Sequence, residues 1–160
     1  MHRDLLASAW SSVRPTGGQT PTQTDLKRAI STGYYALFHF ISQGCADELA
    51  GGGAKPLSRA AAQVYRSLDH RDIAAACDKA RSSSIGFPKE ITELARVFDD
   101  MIRARQRADY DPASTFVLLQ VEDKLREVET VISGHGAADK DDRRAFAILV
   151  AVKSPARGRV

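Results

Sequence analysis

The sequence predicts an all-α fold, an antiparallel bundle with four to five core helices. Every long segment carries apolar residues at the 3–4-residue spacing of a helix face. Glycine and proline separate these segments. The length of 160 residues suits one domain. A hydrophobic content of 43% and a charged content of 27% are ordinary for a globular protein.

The first half of the chain predicts four helices. Residues 3–13 form one apolar stripe, and the breakers of 15–21 follow it. The second helix begins near Thr24, the predicted N-cap, with Asp25 in its first turn. It runs to about Leu49 and ends at the glycines of 51–53. Two shorter helices follow, at 57–68 and from about Ile73 to Ala80.

The second half predicts three more helices. One runs from about Pro88, a residue suited to a first turn, and stops at Tyr110 before Pro112. The next begins near Ser114 and has a narrow 3–4 seam of the kind seen in bundles. The apolar run 146–152 fits a buried strand or a helix, and a helix over 140–152 is the prediction because no other segment indicates a strand.

We expect residues 1–136 to form the bundle, with 137–160 as a C-terminal helix and basic tail that packs on the bundle or trails from it. The tail carries Lys153, Arg157 and Arg159. The net charge of +3 is weak evidence for a nucleic-acid partner. The sequence contains neither an apolar run of membrane-spanning length nor a secretory signal at its start, so we expect a cytoplasmic protein without a membrane partner. Cys45 and Cys77 are predicted to be buried, free thiols.

The second helix has an unusual polar face. Its residues are Arg28, Ser31, Thr32, Tyr35, His39 and Ser42. Such a stripe is ordinarily solvated. Tyrosine and histidine are less typical of a solvated face than lysine and glutamate, so a functional or interface surface is the alternative.

The helix at 88–110 gives a sharper indication. Its apolar stripe, continued by one and two turns, reaches Arg105 and then Asp109. A buried charge without a partner is too costly to persist. The two residues therefore form a structural ion pair, or they line a polar cleft where the helix leaves the core.

The sequence holds no pattern for a metal or a cofactor. A phosphate-binding glycine loop, a zinc-ligand spacing and a nucleophile elbow are all missing from it. The four histidines are scattered, and His70 in SLDHRD is predicted to be a loop or cap residue. We expect neither a metal nor a cofactor.

Two segments resemble a known family. KRAISTGYYALFHFIS at 27–42 and RQRADYDP at 105–112 are similar to the corresponding helices of HEPN-domain proteins, in the same order. The resemblance covers residues from about 5 to 133. It implies a HEPN-like bundle of four to five helices that pairs into a homodimer. Many such proteins are metal-independent ribonucleases, and many are toxins encoded beside a nucleotidyltransferase antitoxin.

The family's catalytic signature is an arginine followed, after four to six residues, by a histidine. This chain has Arg105, but Tyr110 stands five positions on. A tyrosine with an ordinary pKa of about 10 carries protons poorly at neutral pH. The candidate catalytic residues are Arg105, Asp109, Tyr110 and, as a substitute imidazole, His39. The candidate binding residues are Arg28, Tyr35, Arg103 and Arg107.

Three functions remain open at this point. The first is a HEPN-like module that binds RNA, a nucleotide or a partner protein at a dimer cleft, in a toxin–antitoxin or defence system. The second is an active, metal-independent ribonuclease toxin. The third is a structural helical adaptor in which the Arg105–Asp109 pair only stabilises the fold. The tyrosine at position 110 favours the first over the second.

Overall fold

A computed structural model of the chain describes residues 1–15, 17–51 and 57–152. These residues form seven α-helices and a short 3-10 turn at His135–Ala137, which confirms the all-α prediction. The helices are α1 (His2–Val13), α2 (Gln23–Ala50), α3 (Arg59–Ser67), α4 (His70–Ala80), α5 (Lys89–Tyr110), α6 (Leu118–Gly134) and α7 (Lys140–Ala151). The apolar run 146–152, ambiguous in sequence, is helical as far as Ala151.

The start of α2 is two residues earlier than predicted. Thr22, not Thr24, is the N-cap: its hydroxyl accepts a hydrogen bond from the amide of Asp25, whose carboxylate accepts one from the amide of Thr22. This reciprocal pair is a capping box, and it satisfies donors that the first turn leaves without intrahelical partners. The helix ends at Gly51, which has the left-handed φ of 70° that favours glycine.

The start of α6 also differs from the prediction. The helix begins at Leu118 rather than near Ser114. The hydroxyl of Ser114 instead donates to the carbonyl oxygens of Arg107 and Asp111, 2.8 Å from each. Ser114 thereby supplies a hydrogen-bond donor to the carbonyl oxygens at the end of α5 and closes the turn between the two helices.

The central element is α2, which packs against α1, α3, α5, α6 and α7. Gly33 permits the close approach of α5 and α6, because a Cβ there would lie 2.7 Å from Leu125 Cδ2 and 3.3 Å from Met101 Cε. The larger apolar cluster joins α2, α4, α5, α7 and the C-terminal half of α6, and the smaller joins α1, α2 and the facing parts of α5 and α6. Cys45 and Cys77 are buried in the larger cluster as free thiols, as predicted.

The last helix belongs to the core. Phe146, Ala147 and Val150 of α7 are buried in the larger cluster, and α7 packs on α2 and α4. The basic tail predicted from Lys153 onward, and Gly52 and Gly53 of the predicted helix stop, lie outside the described residues. Among the helices described, none is both long and apolar enough to cross a membrane.

Candidate functional site

The guanidinium of Arg105 lies on two tyrosine rings of α2. Its central carbon is 4.9 Å from the ring centre of Tyr35 and 5.3 Å from that of Tyr34. The Arg105 side chain is 14% exposed. A cation over an aromatic face is attracted by the ring's quadrupole, and the attraction grows as water is removed.

Asp109 holds the guanidinium from one turn further along α5. Its Oδ2 accepts a hydrogen bond from Nε of Arg105 at 2.9 Å. Its Oδ1 accepts a hydrogen bond from the hydroxyl of Ser31 on α2. The carboxylate is therefore fixed from two helices, and it fixes the orientation of the guanidinium in turn.

Tyr34 connects this site to the start of α4. Its hydroxyl lies 2.6 Å from Nδ1 of His70, and its side chain is fully buried. Burial raises the pKa of Tyr34 well above its ordinary value, against the charge and hydrogen bonding of Arg105. The phenol is therefore protonated at neutral pH, and its hydroxyl forms a hydrogen bond with the Nδ1 atom of His70.

A second tyrosine–imidazole pair lies beside the first. The hydroxyl of Tyr65 on α3 hydrogen-bonds Nδ1 of His39 on α2. The two rings stack with centres 6.0 Å apart and planes 7° apart. The His39 ring also stacks on Tyr35, with centres 6.4 Å apart. A ladder of flat groups thus runs from Tyr65 through His39 and Tyr35 to Arg105.

These residues form one unit, which we call the Arg105 cluster. Its members are Ser31, Tyr34, Tyr35, His39, Tyr65, His70, Arg105 and Asp109. Burial lowers the pKa of His70, and the charge of Arg105 lowers it further. Burial also lowers the pKa of His39, as does the positive charge of the N-terminal amine. Both imidazoles are therefore neutral at pH 7 and able to accept a proton.

Burial also acts to lower the pKa of Arg105, but the hydrogen bond and charge of Asp109 outweigh it, so the pKa is raised. The cluster therefore combines a guanidinium, held in place by the Asp109 carboxylate, with two neutral imidazoles. Chemically, such an arrangement can bind an anion such as a phosphate and exchange protons beside it.

Five of the residues singled out in the sequence come together here. They are Ser31, Tyr35, His39, Arg105 and Asp109. Tyr110 is 73% exposed and takes part in none of the ring contacts described. Arg28 is exposed one turn before Ser31.

The other two predicted binding arginines lie elsewhere. Arg103 pairs with Asp99 at 2.7 Å on another side of α5, and Arg107 lies over the ring of Phe116. The polar stripe of α2 is largely covered rather than solvated: Ser42 is fully buried, and only Arg28 of its six residues is exposed.

Sequence reasoning missed three of the eight residues of the cluster, namely Tyr34, Tyr65 and His70. His70 is neither a loop residue nor the cap: Asp69 is the N-cap of α4, in a capping box with Asp72, and His70 is the first helical residue. The D-x-x-D spacing at 69–72 is a recognisable signal for that placement. The partnerships of Tyr34 and Tyr65 have no signal in the sequence, because they join helices whose relative register a single chain does not reveal.

Within the described part of the chain, no three His, Cys, Asp or Glu side chains converge as metal ligands would. Comparisons with protein-family models, with curated proteins and with solved structures find no match for this chain.

Proposed function

We propose that the chain is a HEPN-like module that binds RNA through the Arg105 cluster, at a cleft between two copies of itself. The observation that carries the proposal is the position of Arg105. Its guanidinium lies on the Tyr34 and Tyr35 rings, beside two imidazoles that are neutral at pH 7. A guanidinium fixed in this way is pre-organised for a phosphate group, because it loses little side-chain entropy on binding.

An exposed apolar surface supports the proposed dimer. Tyr110, Val117 and Leu119 are 73%, 58% and 62% exposed, and Leu118 between the last two is 36% exposed. Tyr110 is the last residue of α5, directly after Asp109, and residues 117–119 stand at the start of α6. Contiguous exposed apolar residues mark interaction surfaces. A two-fold pairing on this surface would place two Arg105 clusters on either side of one cleft.

RNA binding by Arg105→Ala tests the proposal. The matched control is Arg96→Ala, which removes another α5 arginine from an i,i+4 pair, here with Asp100 at 2.8 Å. With a fluorescent single-stranded RNA at low salt, we expect Arg105→Ala to weaken binding at least tenfold, the equivalent of about 1.4 kcal/mol. We expect Arg96→Ala to bind as the wild type does.

The oligomeric state is tested separately. Light scattering at micromolar concentration is expected to give twice the chain mass of 17.4 kDa. Leu119→Lys places a charge in the exposed apolar surface and is expected to give the monomer mass. A monomer mass for the wild type contradicts the proposed dimer. Equal RNA binding by Arg105→Ala and the wild type contradicts the proposed RNA binding at the Arg105 cluster.

A second candidate, a metal-independent ribonuclease, is favoured by one specific observation. His70 contacts Tyr34 and His39 contacts Tyr35, the two rings on which Arg105 lies, so each imidazole is one ring away from the guanidinium although position 110 is tyrosine. Cleavage at a 2′-hydroxyl needs a proton acceptor and a stabiliser of phosphorane charge, roles that imidazole and guanidinium can fill. Metal-free cleavage of an RNA pool, lost in both His70→Gln and Arg105→Ala, would promote this candidate, and intact RNA would exclude it.

A further inference from the structure

The outer face of α3 is a positively charged surface beside the Arg105 cluster. The helix contains two arginines, Arg59 and Arg66, and no acidic residue. The two lie seven residues apart, which places them on one face about 10 Å apart along the axis. They share one open groove with Gln63 and Ser67.

These arginines differ from those of α5 and α6. Arg96 pairs with Glu93, Asp100 and Glu127, and Arg126 pairs with Glu122 and Asp123. Neither Arg59 nor Arg66 makes an ion pair with any carboxylate in the described ranges. A polyanion can therefore contact them without first breaking an internal pair.

The inner edge of the same helix reaches the cluster. Tyr65, the neighbour of Arg66 in the chain, hydrogen-bonds and stacks on His39. The ladder of flat groups continues from there to Arg105. The charged face of α3 and the guanidinium of Arg105 are thus joined by a short, continuous path.

The surface chemistry of α3 favours a nucleic acid over a protein. All of the large apolar side chains with high exposure lie outside α3, whereas protein interfaces depend on buried aromatic and apolar anchors. Arginines with an uncharged amide between them suit a sugar–phosphate backbone, because phosphate contacts carry most of the affinity for RNA.

We propose that α3 is a phosphate-binding track for single-stranded RNA, in which Arg59 and Arg66 contact the backbone of a strand whose end occupies the Arg105 cluster. This inference rests on the proposed RNA binding, and it adds the direction in which the strand leaves the site. It also makes affinity depend on RNA length, since a dinucleotide at the cluster does not reach Arg59 and Arg66.

The test compares two RNAs, the dinucleotide uridylyl-uridine and a labelled oligouridylate of about 12 nucleotides, a length within the usual site sizes. The variant is the double Arg59→Gln, Arg66→Gln. The control is the double Arg3→Gln, Arg144→Gln, which removes the same charge from exposed positions of α1 and α7.

For the longer RNA, each phosphate contact contributes about 0.7 to the slope of log affinity against log salt. The α3 variant removes two such contacts. Between about 50 and 200 mM salt, we therefore expect the RNA affinity of the wild type to fall about sevenfold more than the RNA affinity of the α3 variant. The control keeps the wild-type slope. Dinucleotide binding is expected to be the same for wild type, α3 variant and control.

Two results overturn the inference. In the first, the α3 variant has the same slope of log affinity against log salt as the wild type. In the second, the control loses as much of that slope as the α3 variant does. The Arg105→Ala variant separates this failure from failure of the proposed function. If Arg105→Ala weakens both RNAs while the α3 variant does not, RNA binding at the cluster stands and only the track is wrong. If Arg105→Ala binds both RNAs as the wild type does, both proposals are wrong.

Discussion

Two partly buried ion pairs contact α2, one near its middle and one near its C-terminus, and they have similar exposure and different surroundings. The Arg105–Asp109 side chains are 14% and 27% exposed, and those of Arg143 and Glu48 are 23% and 19% exposed. Arg143 of α7 reaches Glu48 of α2 at 3.0 Å. It also donates to the carbonyl oxygens of Ala138, at 2.6 Å, and Gly136, at 3.4 Å. This arginine therefore joins three separate segments of the chain.

Arg105 joins fewer segments by hydrogen bonds. Its carboxylate partner Asp109 stands on its own helix, and the link from the pair to α2 runs through the hydroxyl of Ser31. Its remaining neighbours are aromatic faces. The comparison shows that burial alone does not separate an architectural ion pair from a candidate site. The identity of the neighbours does.

The largest expected effect is on stability, at the architectural pair. Arg143→Ala strands the Glu48 carboxylate and two carbonyl oxygens. We expect a loss of about 2–3 kcal/mol, between the roughly 3–5 kcal/mol of a broken buried pair and the roughly 0–1 kcal/mol of an exposed one. Urea unfolding measures it, with the exposed neighbour Arg144→Ala as the control. Equal urea midpoints for Arg143→Ala and Arg144→Ala would show that the Glu48–Arg143 pair does not stabilise the fold as an architectural pair should.

Arg105→Ala is expected to cost less stability, about 1–2 kcal/mol, since it removes the ring contacts and a partly exposed pair. Its main effect should be on RNA binding. Asp109→Asn should be milder in binding, because the amide oxygen still accepts from Nε of Arg105. Denaturant midpoints and dissociation constants measured together decide this. If Arg105→Ala does not fold, and Asp109→Asn binds as the wild type does, the pair is architectural like Glu48–Arg143.

Each ion pair has a histidine beside it, and these give a pH prediction. Burial lowers the pKa of His70, the charge of Arg105 lowers it further, and Asp69 opposes both. Burial likewise lowers the pKa of His135, with a further decrease from Arg143 and an opposing effect of Glu48. The unfolded imidazoles take up protons near pH 6.5, and the folded ones only at lower pH. The free energy of unfolding therefore falls as pH decreases below about 6.5.

Unfolding midpoints at about pH 7.5 and 5.5 check this, on either side of the ordinary histidine pKa. We expect His70→Gln and His135→Gln each to flatten the profile. A wild-type profile without a decline toward low pH would show that the surroundings of both histidines differ from those described.

The smallest effect is expected for Arg103→Ala. Its partner Asp99 also pairs with Arg81 at 3.4 Å, and the Arg103 side chain is 70% exposed. We expect a stability change within about 0.5 kcal/mol and less than a twofold change in RNA affinity. A large loss of binding, measured beside Arg105→Ala, would extend the RNA surface around α5 and restore Arg103 as a binding residue.

The sequence predicts the helices well because their apolar spacing and breakers are local. The stripe of α5 even places Arg105 and Asp109 on its core-facing side. The start of α2 at Gln23 was missed because Thr22 and Thr24 are equally plausible N-caps in isolation. The start of α6 at Leu118 was missed because Ser114 has a side chain suited to capping, whereas the actual N-cap, Val117, makes no side-chain cap hydrogen bond. Choosing among these candidate caps requires the hydrogen bonds that each hydroxyl makes in the folded chain.

The cluster is predictable only in part. Helical periodicity gives the face of a residue, but not which residue of another helix it meets. Ser31 meets Asp109 across 78 positions of sequence, and Tyr34 meets His70 across 36. The pairing of His39 with Tyr65 depends in the same way on where α3 docks. The charge distribution of α3, by contrast, is readable from RAAAQVYRS once that helix is known to lie beside the cluster.

The central position of α2 has a consequence for folding during synthesis. The helix is complete at Ala50, whereas α5, which covers part of its aromatic face, is complete only at Tyr110. At about 5–20 residues per second, those 60 residues take the ribosome about 3–12 s. During that interval Tyr34 and Leu37 have neither the α5 side of the core nor Arg105 to cover them. The nascent chain therefore presents an aromatic helix to the cell for seconds, a window in which chaperones compete with misassociation.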